Sequence, residues 1–156
     1  MLNLLIVGDG PVTRAMVPMA RALEWTVVVA NDMDEVEAGL VVADAVAVLA
    51  HHEAIDAPTL RAALACEIGY IAAMGSQKTQ RRRADWLAEH GITDLSRIHT
   101  PAGLDIGADT PPEIAISILA ELIGVRRGVD SVLSLKGRTT PLHPELAPGE
   151  AYCPEG

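Results

Sequence analysis

At 156 residues, with 49% of them apolar, the chain is long enough for one domain to bury a core without metal or disulfide support. Its formal charge of −9 excludes general nucleic-acid affinity, because a phosphate backbone is held by clustered Lys and Arg. Two isolated cysteines, Cys66 and Cys153, do not make a disulfide framework or a zinc site, and no apolar run approaches the roughly 18 residues of a membrane span.

There is no Phe and only 3% of residues are aromatic, so Ala, Val, Ile and Leu must build the interior. Such short branched side chains suit tightly packed βα layers. Met1–Val7 is apolar but short, has no basic lead and runs into Gly8, so no secretory signal is read and a cytoplasmic protein is expected.

Leu2–Val7 reads as a buried strand, ending in the tight turn Gly8-Asp9-Gly10. Val12, Ala15, Met16, Met19, Ala20 and Leu23 then recur at helical spacing, predicting a helix from Pro11 to Glu24 with a kink at Pro18. Thr26–Ala30 is a β-branched second strand, followed by polar residues 31–34, and Ala45–Ala50 is a third. Pro58–Cys66 has one apolar face and predicts a helix; Tyr70–Met74 predicts a fourth strand. A basic helix opens at Gly75-Ser76 and runs through Glu89 to a stop at Gly91. Arg97–Thr100 is a short fifth strand, and a Gly/Asp loop follows from Gly103 to Thr110.

The best-marked helix is Pro111–Arg127, where Thr110 and Glu113 form a capping-box pattern and Gly128 ends the run. Beyond it the patterning fades, which divides the chain into a domain over 1–128 and an extension over 129–156. Alternating strands and helices imply a Rossmann-like, three-layer α/β domain with a mostly parallel sheet, for which strand order 3-2-1-4-5 is expected.

Three loops carry the chemistry: Gly8–Thr13, Gly75–Lys78 and Gly103–Thr110. Each follows an apolar run and precedes a helix, so all three emerge at the carboxyl edge of a parallel sheet, where such folds bind ligands. Gly8 and Gly10 match a dinucleotide fingerprint, but Thr13 stands where its third glycine belongs. Asp32 sits where an acid can bond a ribose hydroxyl; a turn and a helix cap explain the same residues equally well. Ser76 and the amides of its helix start are suited to a phosphate, with Lys78, Arg81 or Arg82 reaching inward, although three consecutive arginines must splay around a helix and at least one must be solvated. Asp105, between Gly103 and Gly107, can accept hydrogen bonds from a pterin or base edge. His51 either borders the pocket or is simply exposed beside His52. No nucleophile–base pair or metal-ligand spacing stands out, so the residues are read as built for binding, with no catalytic or metal-binding residue assigned.

Taken together, LLIVGDGPV (4–12), LAHHEAIDAPTLRAAL (49–64), YIAAMGSQKTQRRR (70–83), RIHTPAGLDIGADTPPEIAISILAEL (97–122) and LKGR (135–138) resemble the Rossmann domain of the XdhC/CoxI family, the xanthine and carbon monoxide dehydrogenase maturation factors. The resemblance implies a chaperone that binds molybdenum cofactor, supports its sulfuration or insertion, and delivers it to a molybdenum hydroxylase apoenzyme. It implies that Gly8, Gly10 and Asp32 face the nucleotide or phosphate side of a molybdopterin-type cofactor, its cytosine dinucleotide form included. Gly75, Ser76, Arg82, Asp105 and Gly107 would line the rest of the crevice, with His51 at its border. The sequence departs from the family in beginning directly at the first strand, so a sulfur donor or a separate family domain would be a further partner. A homodimer is expected for so small and apolar a domain. The alternatives are an NAD(P)-dependent oxidoreductase, which would need a proton donor not evident here, and a ligand-sensing or protein-binding module.

Overall fold

Period-two alternation along the first strand sorts its side chains between two helical layers. Leu4 and Ile6 enter one core with Met16, Ala20, Ile118 and Leu122, while Leu5 and Val7 enter the other with Val36, Leu60 and Leu87. In this computed structural model, which describes residues 1–129, 131–133, 135–136 and 138–139, ten elements alternate along the chain. They are β1 (Asn3–Val7), α1 (Pro11–Ala22), β2 (Thr26–Ala30), α2 (Met33–Leu40), β3 (Ala45–Val48), α3 (Asp56–Leu64), β4 (Tyr70–Ala73), α4 (Gln77–Glu89), β5 (Ile98–His99) and α5 (Pro111–Arg126). Every strand pair is parallel, so the expected three-layer α/β architecture is present: α1 and α5 cover one face of the sheet, and α2, α3 and α4 the other.

The strand order is β2-β1-β3-β4-β5, which corrects the expected 3-2-1-4-5. β3 does not lie outside β2; it pairs on the opposite side of β1, with Leu4 beside Ala45 and Val7 beside Val48. Both orders obey the right-handed crossover rule, so burial decides between them. β3 is buried at all four positions and belongs inside the sheet, whereas β2 exposes Thr26 and Val28 and can tolerate an edge. The chain reverses its winding between β1 and β3, and that gap is the topological switch point.

Helix α2, which carries the crossover between β2 and β3, has no counterpart among the expected elements. Only Val36 and Gly39 of its eight residues are buried, too few for an apolar stripe. α1 continues through Pro18 and ends at Ala22, two residues earlier than expected, with Glu24 in the left-handed region. Pro18 lies on the exposed side, where water can satisfy the carbonyl left without a donor. α3 starts at Asp56, ahead of Pro58. Gly91 and Gly128 have positive φ, as the helix-stop reading required. No described helix is long and apolar enough to cross a membrane. The described residues beyond α5 form no helix or strand; most of the extension, with Cys153, lies outside the described residues.

Candidate functional site

The carboxyl edge is organised by how tightly the first loop turns. Gly8 has φ +106, its N–H donates to the Ala30 carbonyl at 2.9 Å, and a Cβ there would lie 2.8 Å from the backbone nitrogen of Ala50. β1 and β3 therefore approach at the switch point only because residue 8 has no side chain. Gly10 is different: its φ is −69 and nothing lies within 4 Å of the position a Cβ would take. It is the N-cap of α1 without a side-chain cap, Pro11 follows, and no acid occupies the first turn. The positive end of α1 thus faces the edge uncompensated.

Thr13, standing where a dinucleotide fingerprint has its third glycine, is buried, and its hydroxyl donates to the Gly8 carbonyl at 2.7 Å. The side chain closes the loop from inside the helix. Thr13→Val should accordingly cost about 1–3 kcal/mol by leaving that carbonyl unpaired. Chemical denaturation reads this directly, and a loss below about 0.5 kcal/mol would mean the loop does not depend on the bond.

Asp32 lies at the end of β2 and caps α2, accepting from the Glu35 N–H at 2.8 Å, while the Glu35 carboxylate accepts from the Asn31 N–H at 2.6 Å. The capping role is therefore present at this exposed acid. His51 and His52 are both exposed beyond β3.

At the start of α4, Ser76 is the N-cap and accepts from the Thr79 N–H at 3.2 Å; again no acid sits in the first turn. Gly75 is set by packing, since a Cβ would lie 3.0 Å from the Thr79 methyl and 3.1 Å from Arg83 Nη1. The three arginines diverge. Arg81 is exposed, Arg82 is partly buried, and Arg83 is only 3% exposed. Arg82 pairs with Asp56 through both terminal nitrogens and with Glu53 at 3.4 Å, so this nominated ligand contact is held by acids of the chain itself. Arg83 donates to Asp56 at 2.8 Å, to the Met74 carbonyl at 2.8 Å and to the Ala50 carbonyl at 3.1 Å. Burial pushes the Asp56 carboxyl up, but its bonds from Arg82 and Arg83 outweigh that and hold it below its ordinary 3.8.

Sequence reasoning missed Asp56 and Arg83. They tie together the residues from which two edge loops depart, after β3 and after β4. It also missed a second cluster under the third loop. Glu121 of α5 accepts from the Tyr70 hydroxyl at 2.7 Å and from the Gly103 N–H at 3.1 Å, with His99 stacked on the Tyr70 ring at 5.0 Å. Burial, then the neighbouring Glu121 carboxylate, push the Tyr70 hydroxyl far above its usual range, so it stays a donor. An acid inside the apolar run ILAELIG was the available signal.

Of the nine nominated residues, Gly75, Ser76, Asp105 and Gly107 line one open crevice of about 690 Å³ beside Met74 and Leu104. Gly8 and His51 flank the switch point, Gly10 opens α1, Asp32 stands at the outer strand, and Arg82 lines a separate groove along α4. The start of α5 is closed by its own capping box, Thr110 with Glu113, so α1 and α4 are the helices whose positive ends remain available to an anion. Among the described residues no group of three or more His, Cys, Asp or Glu is placed to hold a metal.

Comparison with known proteins matches the XdhC Rossmann domain family over residues 4–122. The uncharacterized protein YqeB of Escherichia coli is 35% identical over 79 residues, covering 49% of this chain and 14% of that protein. A probable xanthine dehydrogenase subunit from Bacillus subtilis is 34% identical over 86 residues, covering 55% of this chain and 24% of its own. The matches thus span less than a quarter of these relatives' lengths. A solved structure described as a xanthine dehydrogenase from Bacillus halodurans superposes with a TM-score of 0.64 at 27% identity, covering 81% of this chain and 43% of that one. With the family match running from β1 to the penultimate turn of α5, the chain belongs to the XdhC Rossmann domain family.

Proposed function

We propose that this domain binds a molybdopterin-type molybdenum cofactor at its carboxyl edge and serves the maturation of a xanthine dehydrogenase-type molybdenum hydroxylase. The observation that carries the reading is the shared crevice: Gly75 and Ser76 at the start of α4 face Asp105 and Gly107 across about 690 Å³. A phosphate fits the start of α4, where no acid sits in the first turn and the first-turn amides not taken by the Ser76 cap are available. The Asp105 carboxylate suits the donor edge of a pterin. Gly10, which neither backbone conformation nor packing requires to be glycine, leaves room for a second phosphate over α1, as the cytosine dinucleotide form would need. The cofactor brings the redox chemistry to the enzyme that receives it; these residues bind, orient and shield. Two relatives carry xanthine dehydrogenase in their names, the Bacillus subtilis protein and the Bacillus halodurans structure, and this supports a hydroxylase as recipient. A sulfur donor or a separate family domain would complete the pathway.

Anaerobic calorimetric titration with the cofactor, run beside NAD, NADP and CTP, tests the reading. Binding of the cofactor should weaken about ten- to hundredfold in Asp105→Ala, the loss of a charged hydrogen bond. NAD or NADP binding without cofactor binding would favour the second reading, a dinucleotide-binding oxidoreductase or sensor, for which Gly8, Gly10 and Asp32 at the ends of β1 and β2 speak. Cofactor affinity unchanged in Asp105→Ala would remove the crevice from the site.

A further inference from the structure

Helix α5 is apolar on both sides. Its inner stripe, Ala115, Ile118, Leu119 and Leu122, is buried against α1 and the sheet. On the outer side Ile116 is 51% exposed and Ile123 is 38% exposed. They lie seven residues apart, two turns, and therefore on one line, with Ala120 between them. A helix that is apolar all round ordinarily has both sides covered. The strip continues past the helix end through Val132, whose methyl group would sit 3.5 Å from a Cβ at Gly124, and through Leu133, 80% exposed. On this outer face charge appears only near the ends of α5, with Glu113 in the first turn and Arg126 and Arg127 at the last, all three exposed; Glu121 turns inward to Tyr70 and Gly103.

We propose that this face is the interface between two copies of the chain, with α5 packed antiparallel against α5 of the second copy across a two-fold axis near Ala120. The charge pattern selects both the partner and the direction. Antiparallel packing sets Ile116 of one copy beside Ile123 of the other and brings Arg127 beside Glu113 at each end of the contact. Parallel packing would set like charges together at both ends. Because an isologous interface makes every contact twice, a strip that is self-complementary under a two-fold fits a second copy of this chain better than an unrelated surface. The small Ala120 at the centre permits close approach of the two helices, and the apolar stretch after α5 widens the contact toward the roughly 800 Å² per partner of a stable interface. The proposal is independent of what the crevice binds.

Sedimentation velocity of the full chain across micromolar concentrations tests it. The wild type should be a dimer. Ile116→Glu with Ile123→Glu should weaken association about a hundredfold or more, since two charges would be buried at the centre of the contact. Arg127→Glu alone should weaken it several-fold, and adding Glu113→Lys should restore it. The last pair decides the matter even where the doubly charged variant fails to fold, because both positions are exposed and Glu113→Lys gives up only the carboxylate half of the α5 capping box, a local loss of about 1 kcal/mol. A wild type that stays monomeric at about 100 μM would overturn the proposal and leave the strip to another polypeptide or to residues 140–156. A dimer unaffected by the isoleucine substitutions, or by Arg127→Glu, would overturn it by placing the interface elsewhere.

Discussion

Replacing Arg83 by methionine is expected to destabilise the domain by about 3–5 kcal/mol, the range for removing one partner of a buried ion pair. The substitution keeps most of the side-chain volume, so the loss measures electrostatics and hydrogen bonding and not a cavity. Three acceptors lose a donor at once: the Asp56 carboxylate, which is fully buried, and the carbonyls of Ala50 and Met74. Arg82 still holds Asp56 but reaches neither carbonyl. Asp56→Asn should be costly too, because Arg83 then stays buried without its counter-charge. Replacing both residues by apolar ones should cost less than the sum of the single changes, as expected of groups that share one network.

The pH dependence of this effect has a definite sign. The folded-state carboxyl of Asp56 is held below its ordinary 3.8, so its stabilisation is fully present above that value and fades as pH falls through the lowered one. The stability gap between wild type and Asp56→Asn should therefore be constant at neutral pH and narrow only below about pH 4. A gap that stays the same from pH 7 down to pH 3 would show that the carboxylate's charge is not what matters. Hydrogen exchange offers a local readout, since the amides of residues 51–55 and 75–77 should open faster in Arg83→Met while those of β1 keep their protection.

This knot also marks where sequence reading stops. Strands β1, β2 and β4 and helices α4 and α5 were legible because an apolar run or a capped 3.6-residue period fixes each one locally. The capping box of α5 appears in the structure on the residues that announced it, Thr110 and Glu113. Arg83 and Asp56 are 27 residues apart and meet only because β3 and β4 are neighbours. The three arginines announced positive charge, and nothing local could say that Arg83 is internal, that Arg82 is neutralised by Asp56, and that Arg81 is left to solvent. Strand order was hidden for a related reason. Periodicity tells which face of a strand is buried but not which neighbour it takes, and α2, the element that carries the crossover, buries too little to leave a pattern. That Gly75, Ser76, Asp105 and Gly107 lie around one crevice follows from loops after parallel strands emerging at one edge, a consequence of topology that holds for either strand order.

The two glycines of the first loop allow the fold and the ligand to be tested apart. Gly8→Ala should destabilise strongly. Alanine at φ +106 is strained by about 1–3 kcal/mol, and its Cβ would lie 2.8 Å and 2.9 Å from the backbone nitrogen and Cα of Ala50. Those atoms belong to the main chain and cannot rotate away, so relief requires β1 and β3 to part at the switch point, at a further cost of about 1–3 kcal/mol. Gly10→Ala meets neither obstacle: its φ of −69 suits any residue, and nothing lies within 4 Å of the added methyl group. Its effect on stability should stay below about 1 kcal/mol, the scale of a changed N-cap. If a phosphate approaches the start of α1, however, that methyl group stands in its way, and cofactor affinity should fall with the melting temperature almost unmoved. A Gly10→Ala protein that binds the cofactor as tightly as wild type would confine the ligand to the Ser76–Asp105 crevice. A Gly8→Ala protein as stable as wild type would mean that the close approach of β1 to Ala50 does not govern this edge.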